Sequence, residues 1–81
     1  METRVAVISI IVENTDAVEK LNAVLHEYAE FIIGRMGIPY PKKKVNIISV
    51  AMDAPVDTIN ALTGALGRIS GVVAKAAYSK A

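Results

Sequence analysis

The segment Arg4 to Val12 (RVAVISIIV) constrains the fold of this chain more than any other. It is short and rich in β-branched residues, which makes it a strand rather than a helix. Successive side chains of a strand point to opposite faces. Here both faces are apolar, with Val5, Val7 and Ile11 on one and Ala6, Ile8, Ile10 and Val12 on the other. A strand of that kind belongs in the middle of a sheet with both of its surfaces covered. The rest of the chain has to supply its neighbours and its covers.

Asn14-Thr15-Asp16 follows, three residues whose side-chain oxygens accept from the free N–H groups at a helix start. Val18, Leu21, Leu25, Tyr28 and Ile32 then recur at spacings of three and four, the apolar stripe of a helix that fades near Glu30. Glu19, Lys20, Glu27 and Glu30 take the wet side. Phe31 to Tyr40 (FIIGRMGIPY) holds two glycines and a proline, which a helix interior resists, and reads as an irregular strand. Pro39 places the end of that strand at a sheet edge or just outside it. Pro41 to Lys44 is a turn, and Val45 to Asp53 (VNIISVAMD) returns as its hairpin partner. Ala54-Pro55-Val56-Asp57 opens a second helix with Pro55 as its first residue, and Ile59, Leu62, Leu66 and Ile69 form its stripe. Ser70-Gly71 ends it, since glycine readily takes the left-handed conformation found there. Val72 to Tyr78 (VVAKAAY) is the last strand.

The order is strand, helix, strand, strand, helix, strand. With both helices as crossovers on one face of an antiparallel sheet, this is an α+β, ferredoxin-like βαββαβ sandwich forming one domain over residues 1–81. Helices then cover one face only, yet the strands at Arg4–Val12 and Val45–Asp53 are apolar on both. Composition sharpens the mismatch. Hydrophobic residues make up 53% of 81 residues and the mean hydropathy is +0.41, in a chain too short to hide them inside. The surplus face calls for a partner subunit, giving a homo-oligomer, either dimer or tetramer.

Several kinds of chemistry are absent. The chain has no cysteine, which excludes disulfides, cysteine-held zinc and iron–sulfur clusters and fits a cytoplasmic protein. The Val5–Val12 run is far shorter than the roughly 20 residues of a spanning helix, and it lacks the basic leader of a signal peptide. A net charge of +1, and Lys42-Lys43-Lys44 as the one basic run, do not describe a nucleic-acid surface. No catalytic site is read: there is no G-x-S-x-G elbow and no phosphate loop, and the pairs Asp53/Asp57 and Glu27/Glu30 suit helix starts and solvated faces. No cofactor is implied. His26, the single histidine, is either a partly exposed helix residue or a weak metal or ligand contact at a subunit boundary. Arg35, set between Gly34 and Gly37, is not what strand packing alone selects. Glycine lets a ligand or another backbone approach, and an arginine fork suits a carboxylate or phosphate; a salt bridge between subunits is the other reading.

Over nearly the whole chain the stretches LHEYAEFIIGRMGIPY (Leu25 to Tyr40), VNIISVAMDAP and INALTGALGRISGVVAKAAYSK resemble the iron-only hydrogenase system regulators. The resemblance implies an ACT-like variant of the ferredoxin-like fold, related in shape to the C-terminal domain of the nickel-responsive repressor. It also implies a regulatory, non-enzymatic role tied to iron-only hydrogenase or its maturation. That repressor holds nickel with several histidines and a cysteine; this chain offers His26 alone, so nickel binding does not transfer. The repressor's DNA-binding arm is also missing, so transcriptional control would require a partner protein. ACT-like assemblies place small ligands between subunits near the first strand–helix loop. Here that loop contributes Asn14, Thr15 and Asp16, with Arg35 and Tyr40 as further polar contacts. The alternative is a structural or accessory interaction module with no small-molecule ligand.

Overall fold

A computed structural model of the chain describes residues 2–80. Six regular elements follow in the expected order: β1 (Arg4–Val12), α1 (Val18–Glu27), β2 (Ile32–Tyr40), β3 (Val45–Ala54), α2 (Val56–Gly67) and β4 (Val72–Tyr78). The strands form a single sheet in the order β2-β3-β1-β4, with every neighbouring pair antiparallel. This is the ferredoxin-like arrangement. Each helix carries the chain over a strand that belongs to the other half, α1 from β1 across β3 to β2, and α2 from β3 across β1 to β4.

The double-sided strand lies where its composition demands, in the interior of the sheet between β3 and β4. Its even-numbered residues meet the helices. Ile8 stands opposite Val50 on β3 and Ala76 on β4, and Ile10 opposite Ile48 and Ala74. With Leu21 and Leu25 of α1 and Ile59, Leu62 and Leu66 of α2, these residues form one continuous core. Among the described residues no polar or charged side chain is buried. The core is therefore held by apolar burial and packing alone, at roughly 25 cal/mol per Å² of surface removed from water.

The helix boundaries differ from the sequence expectation in ways that local chemistry explains. Asn14 does cap the start, its Oδ1 accepting from Asp16 N at 3.0 Å. The first turn, Thr15–Ala17, is a 3-10 turn, and α1 proper begins at Val18. α1 ends at Glu27 rather than near Glu30, because a 3-10 turn at Ala29–Phe31 bends the chain into β2. Ile32 keeps the helical spacing by coincidence and is the first strand residue. Pro55 sits just before α2, extended at ψ 146°, rather than inside its first turn. α2 ends at Gly67, ahead of the Ser70-Gly71 stop. Gly71 is left-handed at φ 81°, and a Cβ built on it would lie 2.6 Å from the Asn14 Cβ. Only glycine fits there. The Gly71 carbonyl also accepts from Glu13 N at 2.7 Å, tying the start of β4 to the end of β1. The β2–β3 turn, Pro41–Lys44, closes with Lys44 left-handed at φ 57° and its N–H donating to the Pro41 carbonyl.

Candidate functional site

Two surfaces are built into this fold, and β2 contributes to both. As an edge strand it tolerates Pro39, whose missing N–H costs no ladder bond on the open side. Near its start the register with β3 slips. Ile32 pairs with Met52 and Gly34 with Ala51, so Ile33 is an extra, unpaired residue. A bulge of this kind changes the face to which every later residue points. Because of it, Arg35 and Gly37, opposite Val50 and Ile48, point to the helix side. Gly34, Met36, Ile38 and Tyr40 point to the side without helices.

On the helix side a groove runs between α1 and β2. Arg35 spans it, its Nη2 donating to Asn22 Oδ1 on α1 at 3.0 Å. This contact divides the groove into two lobes of about 270 Å³ each. One lobe is bordered by Leu25, His26, Ala29 and Ile32. The other is bordered by Val18, Gly37, Pro39, Asn46 and Ile48. His26 thus lies one helical turn from Asn22 and in the neighbourhood of Arg35. The described residues bring no three His, Asp or Glu side chains together.

The side without helices carries apolar residues on all four strands, interrupted by one row that holds two serines and a lysine. Ile38, Ile47, Ile11 and Val73 form one complete cross-strand row. The next row is Met36, Ser49, Ser9 and Lys75, and the one after it Gly34, Ala51, Val7 and Ala77. Val5 and Tyr40 extend the patch at opposite ends. Met36 is 62% exposed and Ile38 52%. Four strands about 4.8 Å apart and about seven residues of about 3.3 Å each give a footprint near 19 by 23 Å, or about 440 Å².

The residues expected to meet a ligand are dispersed. Asn14, Thr15 and Asp16 are exposed at the end of β1, with the Asn14 side chain occupied in capping. Tyr40 lies at the same end of the sheet but on the open face, two strands away. Arg35 lies mid-strand on the helix face. A single protomer does not bring these three places together. Asn22 and Asn46, which complete the groove around Arg35 and Gly37, were not singled out as ligand contacts in the sequence. A register shift leaves no trace in periodicity, although the position of Asn22 one turn after Val18 was readable.

The family described as "TM1266-like: Iron-only hydrogenase system regulator, putative" matches residues 4–76, from the start of β1 into β4. The chain belongs to that family. Among solved structures, the uncharacterized protein TM1266 from Thermotoga maritima matches with a TM-score of 0.93 and 36% identity, over 98% of this chain and 100% of that one. None of the curated proteins matches. The chain presents two exposed surfaces, the open sheet face and the Arg35 groove. Among the described residues no helix is long and apolar enough to cross a membrane.

Proposed function

We propose that this chain is a non-catalytic, cytoplasmic regulatory domain of the iron-only hydrogenase system, which self-associates through the open face of its sheet and senses a small ligand. One observation carries the reading. The row Ile38–Ile47–Ile11–Val73 runs across all four strands and faces solvent in a single protomer. The whole face, about 440 Å² and apolar except for Ser9, Ser49, Asp53 and Lys75, is of the size of the largest surface patches of small proteins, which are often functional. It is also geometrically self-complementary, since two twisted sheets stack face to face about 10 Å apart. A second copy of the chain supplies the cover that β1 requires on its odd-numbered side.

Native mass spectrometry of untagged protein, paired with sedimentation, tests the reading. The expected result is a dimer or tetramer, dissociated to monomer by Ile47→Asp without loss of the folded circular dichroism spectrum. A parent protein that stays monomeric at high micromolar concentration overturns it. The second reading, an accessory module that docks on a different protein, is favoured by the long exposed edge of β2, where Ile33 is 64% exposed. In that case Ile33→Lys releases the partner and leaves the self-assembly intact.

A further inference from the structure

We propose that the groove between α1 and β2 binds a small carboxylate anion with a short apolar body, and that Arg35 is its anchor. This inference deepens the sensing part of the proposed function and rests on that part alone, because the groove lies on the opposite side of the sheet from the assembly face.

Three observations carry it. The first is how Arg35 is held. Its guanidinium donates to the side-chain oxygen of Asn22, a neutral amide, and among the described residues it has no carboxylate partner. The amide orients the fork without neutralising it, which leaves the charge and the remaining N–H donors for an anion. The second is Gly37. It follows Arg35 by two residues on the same face, has no positive φ, and a Cβ there would meet nothing within 4 Å. Neither backbone strain nor a close neighbour requires glycine here, and glycine weakens a strand. Its effect is to leave the lobe beside Arg35 empty. The third is the lining of that lobe. Val18, Ile48 and Pro39 form apolar walls, and the Asn46 amide borders it. Arginine at one position and hydrocarbon along the walls suit a carboxylate bound two-pronged by the fork with an alkyl body over Ile48. The lobe, about 270 Å³, has room for such a body and stays open to solvent.

The test is a titration of the full chain with isovalerate, followed by proton–nitrogen correlation NMR. Isovaleramide and inorganic phosphate serve as comparators, and the oligomeric state is measured on the same samples. Saturable shifts are expected at the amides of Asn22, Arg35, Gly37 and Asn46. Isovaleramide should bind about tenfold more weakly or worse, since it lacks the charge. Arg35→Gln should abolish the shifts, Arg35→Lys should weaken them, and Gly37→Val should abolish them in a protein that melts no lower than the parent. The proposal is overturned if isovalerate gives no saturable shifts. It is also overturned if Arg35→Gln binds like the parent, if isovaleramide matches isovalerate, or if phosphate alone binds and Gly37→Val leaves that binding unchanged. A monomer with intact groove shifts would count against the assembly reading only, and an assembled protein without shifts against the groove only.

Discussion

The two faces of the sheet share most of their β-branched residues and end up in opposite circumstances. On β1 the even face is Ala6, Ile8, Ile10 and Val12, all essentially inaccessible, and the odd face is Val5, Val7, Ser9 and Ile11, open to solvent. β3 repeats the contrast, with Ile48, Val50 and Met52 buried while Ile47 is 43% exposed. Composition along these strands does not by itself decide which face is covered, although Ser9, Ser49, Asp53 and Lys75 all lie on the open one. Topology does, because both crossovers run over the same side. A ferredoxin-like domain with one polar sheet face can stand alone, whereas this chain spends apolar side chains on a surface that its own helices never reach. The difference lies in the covering: one face of the sheet makes the core of the protomer, and the other is left exposed, which is the basis of the proposed assembly.

Adjacent residues make the sharpest test. Ile10 is 1% exposed and Ile11 44%, on the same strand with the same side chain. Ile10→Ala should lower stability by about 2–5 kcal/mol in urea or thermal unfolding, through lost transfer energy and the cavity left behind. Ile11→Ala should cost under about 1 kcal/mol in dilute solution and should reduce the dependence of the melting temperature on protein concentration. Equal costs at every concentration would mean that the odd face is covered within the protomer, which would break the comparison.

Next in size is Gly71→Ala. Gly71 is the turn that brings the chain from α2 back to the sheet, and its Cβ would collide with Asn14 at a positive φ. A loss of roughly 1–3 kcal/mol is expected. The loss should be the same at all protein concentrations, because the defect lies in the closure of the covered side and not in the open face. Tyr78→Phe comes below it. The Tyr78 hydroxyl donates to Asn60 Oδ1 and fastens the end of β4 to α2, and its loss should cost about 1 kcal/mol. Chemical denaturation of both variants at two protein concentrations checks both numbers.

Much of this was legible in the sequence because β-branched runs and three-and-four spacings are local. The order of elements, the central position of β1, the edge position implied by Pro39 and the surplus face all follow from patterns within a few residues. The end of α1 was less legible. Ile32 continues the helical spacing from Tyr28, and only the 3-10 turn at Ala29–Phe31 separates strand from helix. Arg35 and its flanking glycines stood out in the sequence, but the face they take was hidden. Without the bulge at Ile33, strict alternation would set Arg35 on the face opposite Ile32; with it, both point to the helices. One extra residue decides which side of the sheet carries the arginine, and hydrophobic patterning cannot report it when the residues around the bulge are Ile32, Ile33 and Gly34.

The smallest expected effect concerns Gly34, and its sign carries the information. Gly34 lies on the open face beside Ala51, with an unstrained backbone and nothing within 4 Å of a built Cβ. In an isolated protomer Gly34→Ala should therefore stabilise by about 0.5–1 kcal/mol, since glycine in a strand costs backbone entropy and packs nothing. In the assembled protein the same methyl group points toward whatever covers the sheet. If a second sheet packs at the usual spacing of about 10 Å, the methyl group is accommodated and the gain persists as protein concentration rises. If the covering backbone comes closer at this position, the gain seen in dilute solution turns into a loss of assembly. Melting curves of Gly34→Ala across a range of protein concentrations separate the two, and they measure how closely the open face is covered at the end of the sheet next to the bulge.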